Sequence, residues 1–165
     1  MRIIYPGTFD PLTLGHLDII TRASGIFSEI EVAVVKRTSK SLCFSVEERV
    51  DLLTESLKEM NLSTIKVSSF DSLLVEYMNK KNYRTFIRGL RANSDFEYEF
   101  QMQLMNRRLA PGITGLYLMP SEDKMYLSST LVKEIAEYGG DLSTMVTKCV
   151  KKALEKKFQY AEGNG

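Results

Sequence analysis

Five short β-rich segments alternate along this chain with segments of helical periodicity, and this alternation restricts the fold more than any other feature. The β-rich segments are residues 2–5, 30–35, 64–67, 85–88 and 115–119. Helices are predicted over residues 17–23, 45–60, 72–80, 94–109, 129–137 and 142–158. Strands joined through helices are typical of a parallel sheet covered on both faces. The pattern therefore predicts an α/β fold built on a parallel sheet of these segments.

The segment 45–60 carries the strongest helical signal in the chain. Its apolar residues recur at steps of four and three, at Val46, Val50, Leu53, Leu57 and Met60. Ser45, followed three residues later by Glu48, predicts a capping box at its start. No repeat or linker divides the 165 residues. We therefore expect one domain over residues 1–158 and a frayed tail over residues 159–165.

The composition excludes several classes of protein. A net charge of +1 argues against duplex nucleic acid as the main ligand, because such domains are strongly basic. One histidine and two cysteines at unsuitable spacing do not make a zinc site. We expect no signal peptide, because only a few apolar residues precede Pro6 and Gly7, and no apolar run reaches the roughly 20 residues that a membrane span needs. We expect a cytoplasmic protein that binds neither nucleic acid nor membranes.

The first strand–helix junction carries the single histidine. Residues 5–18 read YPGTFDPLTLGHLD, and His16 stands where the next helix is predicted to begin. A helix start presents free N–H groups and a partial positive charge that attract phosphate, and Thr8 would add a hydroxyl donor. Gly7 and Gly15 would allow close approach of the backbone and positive φ angles. A structural turn with a surface histidine explains the pattern equally well, and no GxGxxG or GxxxxGK[ST] motif is present.

Cations follow the second and the fourth predicted strands. Residues 36–41 read KRTSKS and residues 88–91 read RGLR. A run of lysine and arginine is commonly a solvated loop, but both runs are expected at the edge of the sheet where His16 lies. Arginine binds phosphate well, since its planar guanidinium makes two parallel charged hydrogen bonds. Both loops are therefore candidates for binding an anionic ligand.

Three consecutive hydroxyl residues, Ser128, Ser129 and Thr130, stand at the predicted start of the helix after the fifth strand. Such residues commonly cap a helix, and with the free N–H groups they would also cradle a phosphate, so both interpretations stay open. The serines lack a GxSxG motif, and Cys43 has no histidine near it in sequence. Donors without a nucleophile suit direct phosphoryl or nucleotidyl transfer, which depends on positioning and charge stabilisation.

Five segments of the chain resemble, in order and spacing, those of the phosphopantetheine adenylyltransferases, a family of HxGH-type nucleotidyltransferases. The segments read YPGTFDPLTLGH, FSVEERV, IRGLRANSDFEYE, MNRRL and LMPSEDKMYLSSTLVKE, and the similarity extends over residues 2–158. The resemblance implies an α/β fold with a Rossmann-like, doubly wound parallel sheet of five strands and helices on both faces. It also implies transfer of AMP from ATP to 4′-phosphopantetheine, the penultimate step of coenzyme A biosynthesis, by in-line displacement without a covalent enzyme intermediate. The products would be dephospho-coenzyme A and pyrophosphate.

The same resemblance implies roles for individual residues. The catalytic residues would be His16, Lys40 and Arg91. The acceptor substrate would be bound by Thr8, Lys40, Leu74 and Arg88. ATP would be bound by Thr8, Phe9, His16, Gly89, Leu90, Arg91, Glu99, Lys124, Met125, Tyr126, Leu127, Ser128, Ser129 and Thr130. Some relatives carry Trp where this chain has Lys124.

The resemblance extends to cofactors and partners. It implies Mg²⁺ carried by the nucleotide phosphates rather than by a protein metal site, coenzyme A as a feedback ligand, and a homohexamer that is a dimer of trimers. The predicted helix 94–109 is apolar on more than one side, which fits either a subunit contact or a core position. Two alternative functions stay open: another small-molecule nucleotidyltransferase of the superfamily, and a nucleotide- or coenzyme A-binding module without catalysis.

Overall fold

A computed structural model describes residues 1–36, 41–91 and 93–159 of the chain, apart from the side chains of residues 93–95, 98 and 159. Its strands are β1 (Arg2–Gly7), β2 (Glu29–Val35), β3 (Lys66–Phe70), β4 (Thr85–Gly89) and β5 (Thr114–Leu118). Neighbouring strands are parallel, in the order β3-β2-β1-β4-β5. The predicted five-stranded, doubly wound parallel sheet is confirmed.

The helices follow the predicted order. They are α1 (Leu14–Ser24), α2 (Val46–Glu59), α3 (Leu74–Lys80), α4 (Asn93–Leu109), α5 (Ser129–Glu137) and α6 (Lys148–Gln159), with a short 3₁₀ turn at Glu122–Lys124. The capping box of α2 is confirmed, because the Ser45 hydroxyl accepts the N–H of Glu48 while the Glu48 carboxylate accepts the N–H of Ser45. Of the predicted tail, residues 160–165 lie outside the described ranges.

The predicted start of the last helix at residue 142 is wrong, since α6 begins at Lys148. Residues 142–146 form a single turn in which the N–H groups of Met145 and Val146 bond to the carbonyl of Leu142. The carboxylate of Glu59 then accepts the N–H groups of Lys148 and Cys149, at 3.1 and 2.9 Å. This cap comes from α2 and is invisible in the local sequence.

Two buried clusters, one on each face of the sheet, form the core. The neighbouring residues Ile3 and Ile4 of β1 are both fully buried, and they belong to different clusters because successive strand residues point to opposite faces. The larger cluster packs α1, α2, α5 and α6, and the smaller one includes Val75 and Met78 of α3. Both faces are therefore covered, as predicted.

The direction of the strands gathers the functional loops. All paired strands run the same way, so the loops after β1, β2, β4 and β5 leave from one edge of the sheet. Among the described residues, no helix combines the length and the apolar character that crossing a membrane requires.

Candidate active site

A cavity of about 250 Å³ opens at this edge of the sheet. Eleven of the predicted site residues line it: Thr8, Phe9, His16, Arg88, Gly89, Arg91, Glu99, Leu127, Ser128, Ser129 and Thr130. They come from the end of β4, from three separate loops and from the helices that follow these loops. The structure therefore brings together residues that are up to 122 positions apart in sequence.

Other predicted residues stand outside the cavity wall. Leu74 is the first residue of α3 and packs against the smaller core cluster. Leu90 and residues 124–126 do not line the cavity; Tyr126 is 56% exposed. Lys40 lies outside the described residues, although Ser41 and Leu42, which follow it, line the cavity. The binding roles of all these residues stay predictions.

The sequence Thr13-Leu14-Gly15-His16 forms the N-terminal cap of α1. The Thr13 hydroxyl accepts the N–H of His16 at 3.4 Å, and the Nδ1 atom of His16 accepts the N–H of Thr13 at 3.1 Å. This is a capping box in which an imidazole replaces the usual Glu or Gln. The three-residue spacing therefore fixes the ring at the helix start, where phosphate binds well.

The same bonds determine the tautomer of His16. Burial, followed by the charges of Arg91 and Arg88, lowers the pKa of His16 to about 3, so the ring is neutral at physiological pH. Because Nδ1 accepts a backbone N–H, the ring proton is on Nε2. The ring can therefore donate a hydrogen bond through Nε2, and it cannot accept a proton there.

We predict that His16 does not titrate between pH 8 and pH 5 in the ligand-free protein. An exposed histidine has a pKa near 6.5, whereas this ring is held neutral to about pH 3. Because the chain has one histidine, its Cε1–H group gives a single NMR signal that can be followed without assignment. A shift of that signal with a midpoint near pH 6.5 would contradict the neutral tautomer.

The same pKa shift predicts how stability depends on pH. The folded-state pKa of His16 lies below its unfolded value, so the unfolded state binds the extra proton below about pH 6.5. The free energy of unfolding should then fall with decreasing pH, by up to ~1.4 kcal/mol per unit, and this loss should be absent above pH 7. Urea unfolding at pH 7 and pH 5.5 measures it, with His16→Gln as the variant that lacks the titrating ring. If the free energy of unfolding fell by the same amount between pH 7 and pH 5.5 in both proteins, the prediction would be contradicted.

Phe9 occupies an unfavourable backbone conformation next to His16. Its φ of 50° lies in the left-handed region, whereas neither Gly7 nor Gly15 has a positive φ, so the predicted use of these glycines for positive φ is wrong. The Phe9 ring packs edge-on against the rings of Tyr5 and His16, with centroids 5.3 and 5.2 Å away. Gly7 allows this, since a Cβ there would lie 2.7 Å from Phe9 Cζ. Such backbone strain is typical of functional sites.

Arginines from β4 and the following residues form the second wall of the cavity. Arg88 donates from Nε to both carboxylate oxygens of Glu99 at 3.0 Å, and from Nη1 to the carbonyl of Pro6 at 2.9 Å. Arg91 donates from Nη1 to the carbonyl of Leu127 at 2.6 Å. Glu99 therefore orients Arg88, and Arg91 joins the loop after β4 to the loop before α5.

Ser128 is the N-cap of α5, as its position predicted. Its hydroxyl oxygen accepts the N–H of Leu131 at 3.1 Å, and the Ser129 hydroxyl donates to the carbonyl of Pro11 at 2.8 Å. The starts of α1 and α5 are thus joined at the cavity. The dipoles of the two helices place two partial positive charges beside it.

Sequence reasoning missed three charged residues at the site. The buried Asp10 carboxylate accepts the N–H groups of Cys43 and Phe44 at 2.8 and 2.9 Å, and Lys133 Nζ lies 3.2 Å from it. Arg49 is fully buried and donates to the carbonyls of Thr8 and Val35 at 2.7 and 2.8 Å. The position of Lys133, one helical turn after Ser129, was a usable signal. For Asp10 and Arg49 the sequence shows no signal, since their partners are distant.

Comparison with known proteins shows which family the sequence of this chain is similar to. The cytidylyltransferase-like family model matches residues 4–135. The phosphopantetheine adenylyltransferase of Desulfosudis oleivorans is 49% identical over 157 residues, which are 95% of this chain and 92% of that protein. The phosphopantetheine adenylyltransferase of Caldanaerobacter subterraneus is 49% identical over 160 residues, 96% of this chain and 99% of that protein.

A solved structure supports the fold alone. Nicotinic acid mononucleotide adenylyltransferase of Plasmodium falciparum, complexed with NaAD, superposes with a TM-score of 0.68 at 19% sequence identity. The superposition covers 99% of this chain and 98% of that one.

Proposed function

This chain belongs to the cytidylyltransferase-like family and, within it, to the phosphopantetheine adenylyltransferases, and we propose that it transfers AMP from ATP to 4′-phosphopantetheine by direct in-line displacement. The chain is thus a nucleotidyltransferase enzyme, which we propose to be a single domain over residues 1–158. The observation that carries the mechanism is the convergence of His16, Arg88 and Arg91 with the starts of α1 and α5 on one cavity. These donors suit a polyphosphate.

In the proposed mechanism, a phosphate oxygen of the acceptor attacks the α-phosphorus of ATP. The bond to pyrophosphate breaks as the new P–O bond forms, and no side chain bonds to the nucleotide. His16 donates a hydrogen bond from Nε2 to a phosphate oxygen of ATP. Because Nε2 already carries a proton in the neutral tautomer, His16 does not act as a base at that atom. Arg91 and Lys40 would compensate the charge of the departing pyrophosphate. Ser41 and Leu42, which follow Lys40 in the sequence, line the cavity, and this supports the role proposed for Lys40.

We propose that Mg²⁺ enters as part of the substrate, MgATP. Among the described residues, no group of three or more His, Cys, Asp or Glu side chains is placed to hold a metal ion without a substrate. Two acidic side chains of the cavity are already engaged, Asp10 by N–H groups and Lys133, and Glu99 by Arg88. Magnesium commonly binds substrate phosphates and keeps several waters, which fits such a site.

The acceptor would bind on the side of Arg88. Its guanidinium is oriented by Glu99 and by the Pro6 carbonyl, which leaves a fixed geometry for a phosphate. Thr8, the first residue after β1, would lie between the acceptor and ATP, and Leu74 would contact the pantetheine arm. Since Glu99 bonds to Arg88, the predicted contact of Glu99 with the nucleotide would be additional to this positioning role.

Transfer of radiolabel from [α-³²P]ATP to 4′-phosphopantetheine tests the function. We expect labelled dephospho-coenzyme A and one pyrophosphate for each transfer. Parallel reactions with CTP, and with nicotinate mononucleotide as the acceptor, test the other nucleotidyltransferase activities. ATP binding without turnover on any acceptor would favour a non-catalytic binding module, and labelled protein after denaturation would contradict the direct displacement.

We further propose a cytoplasmic homohexamer, a dimer of trimers, with coenzyme A as a feedback ligand. An exposed apolar stripe on α4 supports self-association: Phe96, Phe100 and Leu104 recur every four residues and are each about half exposed. Light scattering should give about six times the 18.8 kDa mass of one chain. Phe100→Glu should lower that mass, whereas Ile26→Glu, at an exposed apolar position elsewhere, should not. A monomeric wild type would contradict the proposal.

A further inference from the structure

Asp18 on α1 holds the loop that joins β5 to α5. Its Oδ2 atom accepts the N–H of Ser121 at 2.8 Å, and its Oδ1 atom accepts the Ser121 hydroxyl at 3.2 Å. Arg22 donates from Nε to Oδ2 at 2.7 Å. The Asp18 side chain is 17% exposed, so these bonds are partly shielded from water. The main chain of the loop is therefore anchored to the helix by a charged acceptor.

The loop is also in contact with the start of the same helix. A Cβ at Gly15 would lie 3.4 Å from the carbonyl oxygen of Lys124 and 3.6 Å from Leu127 Cβ, so the loop packs directly on this glycine. Arg91 donates to the Leu127 carbonyl from the other side. The loop thus packs against the start of α1.

Helix α1 places two functions on one short rigid element. His16 caps its first turn, and Asp18 lies two residues later. An α-helix turns about 100° per residue, so these side chains point in different directions, the ring into the cavity wall and the carboxylate toward the loop. The Asp18–Ser121 contact therefore ties the position of the loop to the helix that carries the His16 ring.

We propose that Asp18 is a positioning residue for nucleotide binding, which keeps the loop of residues 120–128 ordered against α1 so that ATP does not have to order it. This inference rests on the proposed function, because residues 124–130 are its expected ATP contacts. Ordering a loop at the moment of binding lowers affinity, and a pre-ordered loop avoids that loss. The side chain is ionised at neutral pH: burial alone would raise the pKa of Asp18, but bonds from Arg22 and Ser121 outweigh it and lower that pKa.

The test compares Asp18→Ala with two matched variants. Asp18→Ala should raise KM for ATP about 10-fold, the size expected for losing a charge-assisted hydrogen bond, while KM for 4′-phosphopantetheine stays within about two-fold. Asp18→Asn keeps one acceptor for the Ser121 N–H and should recover much of the loss. Arg22→Ala removes the ion pair and leaves both Ser121 bonds, so it should behave like the wild type.

Amide hydrogen exchange of the ligand-free proteins makes the test independent of activity. Residues 120–128 should exchange faster in Asp18→Ala than in the wild type or in Arg22→Ala, while α1 stays protected. If the wild type fails to transfer AMP, the proposed function fails, and the exchange data still decide the anchoring role. Unchanged exchange in Asp18→Ala overturns the inference, and so does an equal rise of both KM values. If Asp18→Ala does not fold, Ser121→Pro takes its place, since φ at Ser121 is −60° and proline there removes both donors that Asp18 accepts; unchanged exchange of residues 122–128 and an unchanged KM for ATP would then overturn the inference.

Discussion

His16→Ala is expected to lower kcat for AMP transfer by about 100- to 1,000-fold, the usual effect of removing one preorganised donor from a transition state. The reason is the position of the single ring proton of His16. The N–H of Thr13 donates to Nδ1 of His16, and burial together with the charges of Arg91 and Arg88 keeps the ring neutral. The ring proton is therefore on Nε2. A donor that is held in place and shielded from water does not have to reorganise as negative charge develops in the transition state.

Steady-state release of pyrophosphate measures the loss of kcat. His16→Gln separates the chemistry from the helix cap, because glutamine at this position can still accept the N–H of Thr13. We expect it to regain the stability that His16→Ala loses, but to regain only part of kcat. Thr21→Ala, at an exposed position on the same helix, serves as the control. A kcat for His16→Ala within about three-fold of the wild type would contradict the proposed role, since one donor is worth far more.

The sheet was predictable because its signal is repeated. Each β-rich segment is followed by a helical pattern, and one error in a boundary does not change the topology. The third strand shows this: we predicted residues 64–67, and β3 is Lys66–Phe70. The polar Ser68 weakens the β-strand pattern in the sequence. In the structure Ser68 is paired with Ala33 of β2, and its hydroxyl donates to the buried carboxylate of Glu31.

The loops that form the site could be predicted from the sequence, but the residues that hold these loops in place could not. Parallel strands must gather their loops at one edge, so the cavity could be located from His16, Arg88 and the hydroxyl residues at the start of α5. Asp18 and Asp10 could not, because each binds the main chain of a segment at least 33 residues away, and any residue can supply a backbone N–H. A hydrogen bond to a backbone N–H therefore cannot be recognised from the sequence.

Gly7→Ala is expected to lower kcat by about 100-fold without removing any polar group, because small misplacements of catalytic groups cost that much. The added Cβ would lie 2.7 Å from Phe9 Cζ and 2.9 Å from Phe9 Cε2, so the Phe9 ring must move. The ring has little freedom, since its backbone is held at φ 50° and its edge contacts set the distances to Tyr5 and His16. We therefore expect His16 to tilt, and overpacking to lower the free energy of unfolding by about 1–3 kcal/mol.

Gly25→Ala is the matched control for this prediction. At Gly25 a new Cβ would meet only the carbonyl oxygen of Arg22, at an ordinary 3.5 Å, so neither kcat nor stability should fall. The double variant Gly7→Ala/Phe9→Leu replaces the ring by a smaller side chain and should recover stability. It should not recover kcat, because the edge contact that orients His16 is then absent. If Gly7→Ala alone keeps normal kcat, the imidazole is held by its cap with Thr13 and Phe9 contributes nothing to its orientation.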